Sequence, residues 1–170
     1  MSGQSSKDDI LVFIMRHGEA EPLLTDDKSR CLTATGSNEI GASSHWLVDN
    51  YCPDSQLATA LVSPYTRTRQ SFQQVTNTLH ASQFEICNDI TPDGNVRLAH
   101  DYMDLIARES LKNSDGQPVL LVSHMPFVSF FLDEICEAPK MALFATGSVA
   151  VVRYWVNRGK GVLLQHFQGF

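Results

Sequence analysis

The four cysteines of this chain, Cys31, Cys52, Cys87 and Cys136, form no CxxC pair. Metal or dithiol redox sites are therefore not expected, and reduced, partly buried thiols are. Basic residues are also scarce, with 13 Lys and Arg against 19 Asp and Glu and a net charge of -6. A chain without a basic surplus is poorly matched to a phosphate backbone, so nucleic acid is not an expected partner and any anion site must be local. Long apolar runs are missing as well. The run from Ile10 to Met15 is far too short for a signal-peptide core or a membrane span. A cytoplasmic, membrane-free protein is the expectation. No repeat, linker or low-complexity interior interrupts the chain, and no ligand cluster has metal spacing, so no cofactor is expected.

What is present fits one domain. At 170 residues and 43% hydrophobic, the chain is long enough to bury a full core without disulfide or metal support. Residues 1–9 (MSGQSSKDD) are polar and read as a flexible tail, leaving a single domain over 10–170. Ile10 to Met15 is a continuous apolar run of the kind found in a strand covered on both faces. Thr33 or Thr35 caps a helix through Leu47, and Ala58 to Val62 is a second strand. Ser63 and Pro64 look like a helix start, with Tyr65, Thr68, Phe72, Val75 and Leu79 on one face. Phe84 to Cys87 reads as a short strand and Thr91 to Asn95 as a turn, followed by a helix with Leu98, Tyr102, Leu105 and Ile106 inward. Val119 to Val122 is another buried strand, and Pro126 opens a helix whose Phe127, Phe130 and Phe131 read as core. Val149 to Val156 and Gly161 to Phe167 flank Asn157 to Lys160 as an antiparallel hairpin.

This alternation predicts an α/β fold with three layers, a mostly parallel central sheet, helices on both faces and a C-terminal antiparallel hairpin. Such sheets bind ligands beyond the carboxyl ends of their strands. Three polar clusters fall there: Arg16-His17-Gly18-Glu19, Ser63 to Arg67, and Ser123-His124. The topology alone predicts that they converge.

Those clusters suit phosphoryl transfer. An anionic nucleophile is repelled by phosphoryl oxygens, whereas a neutral imidazole with a pKa of about 6.5 can approach them at pH 7. The attack spreads charge over the equatorial oxygens, where guanidinium and imidazolium donors stabilise it. Arg16, Arg67 and His124 are candidates for those donors, with Arg supplying a planar fork. Any one of these residues alone is as readily a surface or satisfied polar group. Their occurrence at equivalent strand ends is what raises the functional reading. His45, His80, His100 and His166 lie in helices or the hairpin, away from those ends, and are read as structural.

The segments Val12 to Ala20 (VFIMRHGEA), Leu61 to Ser71 (LVSPYTRTRQS) and Leu121 to Val128 (LVSHMPFV) resemble the histidine phosphatase superfamily. The short chain is most similar to its SixA-type phosphohistidine phosphatases, and Asp89 to Asn95 resembles a turn of that group. The resemblance implies that His17 is the phosphorylated nucleophile and that Arg16, Arg67 and His124 bind the phosphoryl group. It places Glu19 at a usually acidic position that lines the pocket or orients neighbours. Ser63 is expected to cap its helix and Gln70 to support the site.

Ester-cleaving members carry a mid-chain Glu or Asp as general acid. Glu85, Asp89 and Asp93 are the candidates here, and none stands in that arrangement. A phosphoramidate needs less help, because imidazole leaves more easily than alkoxide. Between Arg67 and His124 there is no room for a large lid, which suits a histidine projecting from another protein. The expected function is removal of phosphate from a phosphohistidine-bearing protein, such as a histidine phosphotransfer domain of a phosphorelay, by a monomeric enzyme. The alternatives are a phosphomonoesterase for a small metabolite such as a sugar phosphate and a non-catalytic phosphoprotein-binding module.

Overall fold

The computed structural model describes residues 8–24 and 26–169. Most of the expected flexible tail, 1–7, lies outside the described residues, while Asp9 already belongs to the first strand, β1 (Asp9–Arg16). The other strands are β2 (Gln56–Val62), β3 (His80–Ile86), β4 (Val119–Ser123), β5 (Val149–Trp155) and β6 (Lys160–Phe167). They form one sheet in the order β3-β2-β4-β1-β5-β6. β3, β2, β4 and β1 run parallel, and β5 and β6 close the far edge antiparallel.

Alternation along β1 feeds two cores. Val12 and Ile14 join the cluster under α3 (Val96–Asn113) and α4 (Phe127–Ile135). Phe13 and Met15 join the one under α1 (Ala34–Asn50) and α2 (Thr66–Val75). Because both faces of β1, β2 and β4 are covered, their apolar runs are continuous rather than alternating. The three-layer α/β architecture expected from the sequence is the one observed. α1 starts where Thr33 accepts a hydrogen bond from the Gly36 N–H, so Thr33 rather than Thr35 is its cap.

Four local expectations need correction. α2 begins at Thr66 without a side-chain cap and ends at Val75, so Ser63 caps nothing and Leu79 packs from the turn that follows. β3 begins at His80, four residues before the expected start. Phe127 and Phe131 are buried, but Phe130 faces out. On α3 the inward stripe is Ala99, Met103, Ala107 and Ser110, while Leu98, Tyr102 and Leu105 are exposed. Small side chains let this helix sit close on the sheet. The larger apolar stripe beside them is left at the flank, with Ile106 only partly buried and Tyr102 donating its hydroxyl proton to Glu85.

The two stripes of α3 can be told apart by stability. Met103→Ala should cost about 2–5 kcal/mol through the cavity it leaves, whereas Leu105→Ala should stay within about 0.5 kcal/mol. Urea denaturation of both variants checks this.

Candidate active site

The ladder of the central strands sets the heights of three side chains. Arg16 pairs with Ser123 across β1 and β4, and Val62 pairs with Val122 across β2 and β4. One residue further on, the His17 N–H donates to the Ser123 carbonyl at 2.9 Å and the Ser63 N–H to Val122 at 3.1 Å. His17, His124 and Ser63 therefore leave the sheet side by side. Arg67 arrives from the first turn of α2.

Gly18 lets the chain turn off β1 beneath the start of α1. A Cβ there would run into the Gly36 backbone, and one on Gly36 would run into Glu19. The Gly18 N–H donates to Ser71 Oγ at 3.0 Å, which pins the turn to α2. Gln70 accepts from the Leu32 N–H at 2.6 Å and so supports the loop that returns toward α1. Glu39 holds two loops together, accepting the Glu19 N–H at 2.7 Å and the Thr146 hydroxyl at 2.7 Å.

Within this frame His17 is almost fully buried. Its Nδ1 lies 2.7 Å from the Gly18 carbonyl, which can only accept, so Nδ1 carries the proton and Nε2 presents a lone pair. Arg67 Nε donates to that Nε2 at 3.2 Å. The rest of the Arg67 guanidinium is held by Asp27, through its carbonyl at 2.7 Å and its carboxylate at 3.4 Å. Arg16 Nη1 donates to the Phe144 carbonyl at 2.7 Å, while its Nε is buried with no partner among the described residues. His124 Nε2 meets Ser63 Oγ at 2.7 Å, and its Nδ1 is likewise unpartnered. The two imidazole centroids are 5.2 Å apart, and the Tyr65 ring packs against both His124 and Arg67.

Burial pushes the His17 pKa down to about 4, with Arg67 and Arg16 acting the same way against the pull of the Gly18 carbonyl. Burial, then His17 and the arginines, lowers His124 further still. Both rings are neutral at pH 7. The imidazolium expected of His124 is not the form this site favours, and a neutral N–H is what it offers an anion. At Asp27, burial works to raise the pKa, but Arg67 and Arg30 outweigh it and keep the carboxylate ionised. Two cations and two buried donors thus face a neutral imidazole, an arrangement suited to attract a phosphoryl group without protonating His17 Nε2.

The structure brings together His17, Arg16, Arg67 and His124. The Glu19 carboxylate instead accepts from the Thr33 hydroxyl at 3.0 Å on the exposed start of α1. Glu85 is engaged by Tyr102, and Asp93 accepts from Thr91 at 3.2 Å. Asp93 also lines a cavity of about 470 Å³ with Lys28, Pro64, Tyr65, Asn88 and Thr91. His166 is not remote as expected: β6 ends opposite the start of β5, and its ring packs 4.4 Å from Phe144. His45, His80 and His100 do stand apart, His100 bonding Glu134 and Tyr154. Sequence reasoning missed Asp27, Glu39 and the pairing of Ser63 with His124. Asp27 sits three residues before Arg30, a spacing that marks a local ion pair; nothing comparable marks the other two. Among the described residues no cluster of His, Cys, Asp and Glu is placed to hold a metal ion, and no helix is long and apolar enough to cross a membrane.

No family model matches the chain. Over 160 residues it is 32% identical to a phosphohistidine phosphatase SixA homolog of Haemophilus influenzae, spanning 91% of this chain and 93% of that one. Over 142 residues it is 32% identical to phosphohistidine phosphatase SixA of Escherichia coli, spanning 83% of each. The structure of the protein histidine phosphatase SixA complexed with tungstate matches it with a TM-score of 0.84 at 29% identity, covering 94% of this chain and 97% of that one.

Burial of His17 has a measurable pH signature. The unfolded ring binds a proton near pH 6.5 and the folded one only near 4, so between those values the unfolded state holds more protons. The contribution of His17 to stability therefore falls as pH drops from 6.5 toward 4. In nitrogen-15 NMR, His17 should remain the neutral tautomer protonated on Nδ1 at pH 5.5, with a midpoint well below 6.5. A midpoint at or above 6.5 would contradict the buried neutral nucleophile.

Proposed function

We propose, for a chain that belongs to the SixA-type phosphohistidine phosphatases of the histidine phosphatase superfamily, that it dephosphorylates a histidine phosphotransfer domain of a phosphorelay through a phosphohistidine on His17. The chain is a hydrolase, a protein-histidine phosphatase. The observation that carries the proposed mechanism is the geometry of His17, fixed by Gly18 through Nδ1 and presenting Nε2 to Arg67, with burial lowering its pKa to about 4.

In this reading the phosphoryl group enters between the arginines and draws Arg67 Nε from Nε2 onto a phosphoryl oxygen. Nε2 then attacks phosphorus in line and the P–N bond to the substrate imidazole breaks; that ring, already protonated on its other nitrogen, keeps the bonding pair and leaves as neutral imidazole. Water attacks the phosphohistidine in the second step, releasing inorganic phosphate and restoring Nε2. Arg16 Nε and His124 Nδ1, both buried without partners among the described residues, supply donors to the equatorial oxygens. Ser63 positions His124, and Glu19, bonded to Thr33, orients the turn rather than touching phosphate.

A protein-borne phosphohistidine is favoured over a metabolite ester by the carboxylates. Asp93 is exposed and bonded to Thr91 within its own turn, and the Glu85 carboxylate is engaged by the Tyr102 hydroxyl, neither of them an arrangement that marks a general acid. We further take the enzyme to act as a monomer in the cytoplasm, with residues 10–170 as its single domain; the four free thiols fit a reducing compartment.

His17→Ala should abolish phosphoenzyme formation. Arg16→Ala and Arg67→Ala should each lower the rate by about 10²–10³ as lost transition-state donors, with native circular dichroism throughout. Near-normal turnover by His17→Ala would remove the nucleophile assignment. Substrate class is tested by kcat/KM for a phosphorylated histidine phosphotransfer domain and for an alkyl phosphate in Glu85→Gln, Asp89→Asn and Asp93→Asn. The phosphohistidine rate should change little in all three. A fast alkyl phosphatase that loses about 10²–10⁴ in rate with one carboxylate would instead install a metabolite phosphomonoesterase.

A further inference from the structure

The three most exposed large apolar side chains of the described residues are Leu24, Met141 and Leu143, at 88%, 81% and 77% exposure. They belong to two loops at the same end of the sheet as His17. The first, which leaves β1, holds Arg67 through the Asp27 carbonyl. The second, which enters β5, holds Arg16 through the Phe144 carbonyl. The loops that grip the two arginines are therefore also the ones that present bare apolar side chains.

Neither loop needs those side chains for its own structure. The first is closed by backbone pairing of Ala20 with Leu32, by the Glu21 N–H on Cys31 and by Arg30 on the Glu21 carbonyl. The second is pinned by Asp133, which accepts the Lys140 and Met141 N–H groups, by Ser129 on the Ala142 carbonyl, and by Gln168 on the Leu143 carbonyl. Met141 has a φ of 47°, a conformation that disfavours a side chain of this kind. The base of the first loop and the Lys140–Leu143 stretch of the second are thus held in place, and large apolar groups stand on these loops uncovered. Exposed apolar groups on a pre-ordered frame are what a protein partner uses at low entropic cost.

The occupant follows from the chemistry of the site. His17 is recessed, and a histidine side chain is short, so a phosphohistidine that reaches it brings its own backbone close to the loops that hold Arg16 and Arg67. We propose that Leu24, Met141 and Leu143 form an apolar rim that docks the surface of the phosphohistidine protein around its phosphorylated histidine, an inference that rests on the function proposed above. The partner surface it fits carries apolar side chains on both sides of that histidine. The phosphoryl group supplies the charge recognition, and the rim supplies selection for a protein carrier over a free metabolite.

The test compares two substrates, a chemically phosphorylated histidine phosphotransfer domain and free phosphohistidine. In the variant combining Leu24→Ser, Met141→Ser and Leu143→Ser, KM for the phosphorylated domain should rise about tenfold or more with kcat retained, while kcat/KM for free phosphohistidine stays within about twofold. Leu105→Ser, on the exposed stripe of α3, should change neither. Unchanged KM for the domain in the triple variant, with the wild type competent, overturns the rim alone. Equal loss on both substrates also overturns it, by showing a general disturbance of the site. A wild type that sediments as a dimer, and a triple variant that is monomeric with unchanged KM, would assign the rim to a second copy of this chain. A wild type inactive on every phosphohistidine substrate would overturn both the rim and the function on which it rests.

Discussion

Arg16 stands opposite Ser123 because β1 and β4 are zipped in parallel from Val12 and Val119 onward, and that offset decides what can meet at the end of the sheet. One residue beyond it are His17 and His124; the matching offset between β2 and β4 adds Ser63. A slip of one residue in any of these ladders would turn a side chain of the candidate site into a helix layer and expose a core residue in its place. The buried runs on β1, β2 and β4 forbid that slip, since Val12, Ile14, Leu61, Val119 and Leu121 must share one face while Phe13, Met15, Ala60, Val62, Leu120 and Val122 share the other. Packing of the apolar core thus fixes the geometry of a polar site that contributes nothing to that packing.

The site itself is electrostatically unfinished. Arg67 is buried, yet its carboxylate partner Asp27 is about half exposed at 3.4 Å. Arg16 is answered by a carbonyl and, among the described residues, leaves one donor unpaired, as does His124. Removing charge from water without a full complement of partners is costly to the fold. A phosphoryl group, with several acceptor oxygens and negative charge, is the complement that these donors match. Burial has a second effect on the same groups: it holds both imidazoles neutral, so the cationic surroundings come from arginines that cannot lose their charge.

Much of this was legible in the sequence, for physical reasons that also explain the exceptions. Continuous apolar runs at Ile10 to Met15 and Val119 to Val122 identify buried strands, and polar clusters at their ends identify the candidate site, because both are local patterns. α3 misleads because two stripes compete on it. Leu98, Tyr102 and Leu105 are the more apolar, but Ala99, Met103 and Ala107 permit the closer approach, and the helix follows proximity. Ser63 followed by Pro64 has the signature of a helix cap, yet its hydroxyl turns to His124, a residue 61 positions away. Glu39 acts on the backbone N–H of another segment, and Asp27 holds Arg67 through its own backbone carbonyl. Every residue has such groups, so no pattern of side chains announces them.

The contact between Arg67 and His17 carries a last consequence. A neutral imidazole with a free lone pair is an open invitation to metal ions and to stray electrophiles, and in a cell both are common. Here that lone pair already accepts a proton donor, while Nδ1 is held by Gly18, so neither nitrogen is available to a passing reagent. What releases it is a group that guanidinium prefers to imidazole, and an oxyanion is such a group. In the proposed mechanism, the arginine that recognises the cargo thus also serves as the safety catch on the nucleophile, and the cargo itself draws it back.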